Sequence, residues 1–133
     1  MNRVAHFEIH AKNMDKMQKF YQDVFGWKIK DMGPKMGNYR MVTTGKDKPG
    51  EKWPGINGGL NPRQGALPKK GQPVNAFVCT VGVEDIDKML KKITASGGSV
   101  AVKKMEIPGD IGTLAYCKDP EGNLFGLLQP VKT

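Results

Sequence analysis

The sequence predicts an α+β fold made of two tandem β-α-β-β-β modules, and three observations carry that expectation. Two amphipathic helical patterns recur at a separation of 72 residues; each follows an alternating, strand-like segment; and each half closes on a short segment containing Gly-Leu. In the first half, "VAHFEIHA" (Val4–Ala11) alternates apolar Ala5, Phe7 and Ile9 with His6, Glu8 and His10. The next stretch, "NMDKMQKFYQDVFGW", predicts a helix capped by Asn13, with Met14, Met17, Tyr21 and Val24 as its apolar stripe and Gly26 as its stop. Extended segments follow at Trp27–Asp31 and Tyr39–Thr44, and "INGGLN" closes the half.

A Gly/Pro/Lys-rich connection, "NPRQGALPKKGQP", has no apolar periodicity and reads as a linker. The second half repeats the order: a strand over Asn75–Val83, then a helix capped by Asp85, with Ile86, Met89, Leu90 and Ile93 at helical spacing and Gly97 at its end. Shifting by 72 residues superposes Asp15 on Asp87, Lys16 on Lys88, Met17 on Met89, Lys19 on Lys91 and Gly26 on Gly98. Extended segments at Val100–Lys104 and Thr113–Cys117, the turn "KDPEGN" and the strand "NLFGLLQ" complete it. The expected division is one domain over 1–133, with module one at about 1–62, a linker at about 62–73 and module two at about 74–133. A module this short cannot cover its own sheet, so the halves are expected to pair around a shared cleft.

Composition narrows the function. No apolar run approaches the roughly 20 residues of a membrane span. The N-terminus lacks the basic-then-apolar pattern of a secretion signal, so a cytoplasmic location is expected. Cys79 and Cys117 have neither metal-ligand spacing nor a disulfide framework, and both are expected to be reduced and buried, Cys79 turned towards the helices by alternation. With 21 basic and 13 acidic residues the net charge is +8, which favours anionic ligands. The lysines are scattered (Lys46, Lys48 and Lys52; Lys69 and Lys70; Lys91 and Lys92) and no aromatic-interleaved basic stripe appears, so neither nucleic acid nor membrane is an expected partner.

The paired β-α-β-β-β pattern, the "H…NMDKMQKFYQDVFGW" run and the second-half "DPEGN" together resemble the vicinal oxygen chelate superfamily, which includes lactoylglutathione lyase, extradiol dioxygenases, methylmalonyl-CoA epimerase and bleomycin-resistance proteins. The resemblance implies a cupped mixed sheet with helices on its convex side and a divalent metal held by the first and last strands of each half. The family's first-strand histidine stands fourteen positions before the helix Phe; here that is His6, before Phe20. Its counterpart 72 residues on is Val78, and the last-strand carboxylate positions match Gly59 and Gly126. Three of four ligand positions are thus empty, and one imidazole does not hold a transition metal at cellular levels.

Alternation puts His6, Glu8 and His10 on one face, and the family match makes it the concave one. Neighbours at i and i+2 lie about 6.5–7 Å apart and i and i+4 about 13 Å, so His6 and His10 cannot share one ion. A rebuilt site would need His6 with Glu8, or Glu8 with His10, plus a donor such as Tyr39, Asn57, Asn61, Tyr116 or Gln129. Without a metal, Glu8 and His6 form a candidate acid–base pair, with the histidines expected to be held partly protonated. His10, Arg40, Trp53 and Tyr116 are the further ligand-binding candidates. Arg40 would pair with a carboxylate or phosphate or else face solvent; Trp53 would stack on a ligand or serve as a lid or dimer contact; Trp27 is read as core.

The expected function is a glyoxalase-like protein that binds a neutral or anionic small molecule in the cleft between the modules, its usual metal site largely lost and no cofactor resident. The alternatives are a lyase, isomerase or dioxygenase using zinc, nickel, iron or manganese on a rearranged set at His6 and Glu8, and a dimeric interaction module without catalysis. A homodimer is expected in each case.

Overall fold

Local sequence signals and strand register together build eight strands and two α-helices, in an α+β arrangement, in the computed structural model of the protein, which describes residues 1–46, 55–72 and 77–132. Trp53, Lys48, Lys52 and the first two residues of the expected strand at Asn75 lie outside the described residues. The chain forms two compact units, one of residues 6–77, the other of residues 1–5 with 78–133.

The first unit holds most of β1 (Arg3–Ala11), then α1 (Met14–Phe25), β2 (Lys28–Asp31), β3 (Arg40–Thr43) and β4 (Gly58–Pro62), with strand order β2-β3-β4-β1. β1 and β4 run parallel, and the other pairs are antiparallel. The Asn13 side chain accepts from Lys16 N–H at 3.0 Å to start α1, and Gly26, at φ 71°, ends it in the left-handed conformation that a side chain disfavours. Met14, Met17 and Tyr21 pack on the buried cluster Phe7, Ile9, Val42 and Leu60. Val24, expected on that stripe, is 55% exposed, because the cluster reaches only the first turns of the helix. Trp27, expected in the core, is half-buried at its edge, its ring stacked on Tyr21 at 5.2 Å and packed against the same cluster.

In the second unit, all but the first residue of β5 (Phe77–Gly82), with α2 (Ile86–Ala95), β6 (Ser99–Ile107), β7 (Gly112–Lys118) and β8 (Leu124–Pro130), repeats the plan with order β5-β8-β7-β6. Asp85 accepts from Lys88 N–H at 3.0 Å, and the Gln129 amide oxygen takes the N–H of Ile86 at 2.8 Å, satisfying two orphan donors of the first turn. The core is Val83, Ile86, Ala115, Cys117 and Leu127, beneath Met89, Leu90 and Ile93 of α2. The last turn before β8 is held by Asp119, whose carboxylate accepts the N–H groups of Glu121 and Asn123.

The two cysteines differ. Cys117 is buried in the core, and burial pushes its thiol pKa up. Cys79 is exposed, against expectation. Alternation does place it opposite the buried Val78 and Thr80, but α2 packs over β6, β7 and β8, leaving that position uncovered. Among the described residues no helix is long and apolar enough to cross a membrane.

Candidate functional site

Register decides which side chains of the first unit share a face. The pairing Glu8 with Gly59, Ile9 with Leu60 and His10 with Asn61 puts Ile9 and Leu60 under α1, in the buried cluster. Pleating therefore carries His6, Glu8 and His10, with Gly59 and Asn61, to the opposite face.

Glu8 is only 5% exposed. A carboxylate so buried is costly unless it is hydrogen-bonded, and Asn61 Nδ2 donates to its Oε2 at 2.9 Å. His6 Nε2 lies 2.7 Å from the Tyr39 hydroxyl, with the two rings stacked at 6.3 Å. Burial lowers the His6 pKa, and the attraction of Glu8 only partly opposes it. This corrects the expectation of a partly protonated imidazole at this position: losing water outweighs one nearby carboxylate. Burial, and then the Glu8 charge, push the Tyr39 phenol well above its ordinary range. Both partners are thus neutral at pH 7, and the imidazole tautomer sets the direction of the bond: with the proton on Nδ1 the phenol O–H donates to Nε2, and with the proton on Nε2 the ring N–H donates to the phenol oxygen and leaves the O–H free to donate elsewhere.

Gly59, the position that resembles the family's missing carboxylate, has a definite structural role. A Cβ built there would overlap the Tyr39 hydroxyl and ring. The phenol therefore lies where a last-strand side chain would begin, and it is this placement that brings it to His6. Gly126 matches Gly59 in the second unit, paired with Thr80 as Gly59 is with Glu8. A Cβ there would meet Thr80 Oγ1 at 2.8 Å and the Tyr116 ring at 3.4 Å.

The other sequence candidates sit as follows. His10 is half-buried on the Glu8 face, and its carbonyl accepts from Arg63 Nη2 at 3.3 Å. Arg40 is on the other face: its guanidinium donates to Gln18 Oε1 at 2.7 Å and Asp15 Oδ1 at 2.9 Å, so it ties β3 to α1. Tyr116 is half-buried beside Gly126 in the second unit. Asn57 accepts from Thr44 N–H, and Gln129 caps α2. Trp53 lies outside the described residues. Tyr39 and Asn61, only auxiliary donors by sequence, are the groups the fold brings to His6 and Glu8. The Gly58-Gly59 pair was the available signal, since adjacent glycines in a strand mark a close approach. Among the described residues no three His, Cys, Asp or Glu side chains gather as a metal-binding group.

The model of the Glyoxalase/Bleomycin resistance protein/Dioxygenase superfamily matches residues 3–127. The "Putative glyoxylase CFP32" of Mycobacterium tuberculosis is 30% identical over 124 residues, 92% of this chain. The chain spans 42% of that relative's length. A glyoxylase-like domain-containing protein of Didymella fabae is 25% identical over 128 residues, covering 94% of this chain and 91% of that protein. Among solved structures, a serine-to-threonine variant of Streptomyces coelicolor methylmalonyl-CoA epimerase in complex with 2-nitronate-propionyl-CoA shares the fold, with a TM-score of 0.68 at 19% identity over 100% of this chain and 97% of that one.

Proposed function

The chain belongs to the Glyoxalase/Bleomycin resistance protein/Dioxygenase superfamily, and on that premise we propose that it binds a neutral or anionic small molecule over the Glu8 face and moves a proton there without a resident divalent metal. The observation that carries this reading is the Tyr39 phenol lying over Gly59 and engaging His6 Nε2. The one histidine matching a family ligand spends its donor atom on a phenol, and Val78, Gly59 and Gly126 offer no donor side chain. This set does not fit a divalent transition metal, which wants several N, O or S ligands. The metal-dependent alternative would require His6 to leave Tyr39.

The chemistry assigned to the site is proton abstraction beside a carbonyl. A Glu8 carboxylate oxygen takes the proton from carbon; the C–H bond breaks, an O–H bond forms, and the electron pair moves to the carbonyl oxygen as an enolate. Asn61 holds the carboxylate in place, and the neutral Tyr39–His6 pair supplies hydrogen bonding to the oxygen that gains charge. Return of the proton to carbon completes an exchange or isomerisation. The net charge of +8 favours an anionic substrate over a cationic one. A cytoplasmic setting and a second copy of the chain as partner accompany the reading.

The test is ligand-observed NMR in D₂O with EDTA present, using a panel of 2-oxo acids, hydroxyketones and thioesters. The expected result is binding of at least one compound, with its α-proton signal decaying through exchange and that decay lost in Glu8→Gln. Binding or exchange that appears only after a divalent metal replaces EDTA would overturn the proposal.

A further inference from the structure

Two half-buried arginines in the first unit share an unusual feature: the Nε of each is buried and finds no acceptor among the described residues. Their surroundings otherwise differ. Arg40 is neutralised, with Asp15 at 2.9 Å and Asp31 at 3.8 Å, and it also holds Gln18. Arg63 has one long hydrogen bond, from Nη2 to the His10 carbonyl at 3.3 Å, and no carboxylate within ion-pair distance among the described residues. A guanidinium carries five donors, and its planar fork matches a carboxylate or phosphate oxygen pair. Holding a cation half out of water without a counter-charge is unfavourable.

Position gives that charge a use. Arg63 N–H donates to the Ala11 carbonyl at 2.9 Å, so the chain continues the β1–β4 ladder for one residue beyond Pro62. Arg63 follows Asn61 by two residues, which alternation places on the same side at about 6.5–7 Å. Its neighbours there are His10 and Asn61, the latter already bonded to Glu8. We infer that Arg63 is the anion-recognising residue of the site, gripping a carboxylate or phosphate group of the small molecule while Glu8 faces its reacting carbon. The inference rests on the proposed function for the second half of that statement and on Arg63's own surroundings for the first.

The experiment is a titration of ¹⁵N-labelled protein with two probes, malonate and inorganic phosphate, in EDTA, following the Arg63 Nε–H resonance, with thermal melts in parallel. The expected result is a saturable shift of that resonance by at least one probe. Arg63→Gln should weaken binding of the probe, read from shifted backbone amides, by at least tenfold, and Arg63→Lys, which keeps the charge but loses the fork, should fall between. A stronger response to malonate identifies the recognised group as a carboxylate, a stronger one to phosphate as a phosphate. Probe binding is read without any proton transfer, so failure of the acid–base reading leaves this outcome untouched. An unmoved Arg63 signal with both probes would overturn the inference. So would unchanged probe binding in Arg63→Gln, and a lower melting temperature beside it would make Arg63 a purely structural tie to His10.

Discussion

The two modules use one frame for different ends. Each pairs its first strand in parallel with its last, and each places a glycine of the last strand opposite the same position of the first: Gly59 beside Glu8, Gly126 beside Thr80. In the first, the glycine admits a phenol that reaches an imidazole, and the neighbouring carboxylate is held by an amide. In the second, the first-strand positions hold Val78 and Thr80, both buried, the threonine hydroxyl without a hydrogen-bond partner among the described residues. The repeat therefore supplies two equivalent strand faces, and among the described residues the first-strand positions carry an imidazole and a carboxylate only in the first. The lesson is that a repeat predicts where a site can be built, while the side chains decide which copy carries it.

The largest expected effect that would sharpen this contrast is on proton transfer. Glu8→Gln should reduce carbon–hydrogen exchange of a bound carbonyl compound by about 10²-fold or more, the range for removing a general base. Thr80→Val, the same position in the other module, should change it little. Equal losses in both variants would break the asymmetry.

The next effect is on stability. Gly59→Ala forces the Tyr39 ring aside and should cost about 1–3 kcal/mol in urea unfolding, the range for overpacking. Tyr39→Ala in the same chain should relieve most of that clash. Gly126→Ala meets a threonine hydroxyl at 2.8 Å and the Tyr116 ring only at 3.4 Å, a milder overlap than the one at Gly59, and should cost less. The reverse order would show that Tyr39 does not depend on Gly59.

The smallest is a pH effect confined to the first module. The His6 pKa is lowered in the folded state, so the unfolded chain binds the proton more readily. Its contribution is present above the unfolded value of 6.5 and is lost as pH falls through the lower folded value. Thermal melts should decline from pH 7 to pH 5, and His6→Gln should flatten part of that slope. A steeper slope in the variant would contradict the neutral His6–Tyr39 pair.

How much of this was legible in the sequence follows from which interactions are local. The helix boundaries were, because Asn13, Asp85 and Gly26 act within one turn of the residues they cap. The face shared by His6 and Glu8 followed from alternation. Arg40, by contrast, could not be assigned to a face until its pairing opposite Leu60 was known, which turns it to Asp15 and Gln18 of α1. Tyr39 needed the same long-range register to reach His6 across 33 residues. Arg63 was hidden differently: it lies in a Gly/Pro/Lys-rich stretch that reads as linker, yet its backbone still pairs with Ala11. Cys79 shows the converse limit, since alternation assigned its face but not whether a helix covers that end of the strand.

The central claim is that the first module performs its chemistry with Glu8, His6 and Tyr39 in place of a chelated metal. Its most direct test is metal content by mass spectrometry, together with calorimetric titration of zinc, nickel, iron and manganese, on untagged protein purified without chelators. The account predicts sub-stoichiometric metal as purified and no saturable binding at micromolar concentrations. Near-stoichiometric metal that is lost in His6→Ala would contradict it.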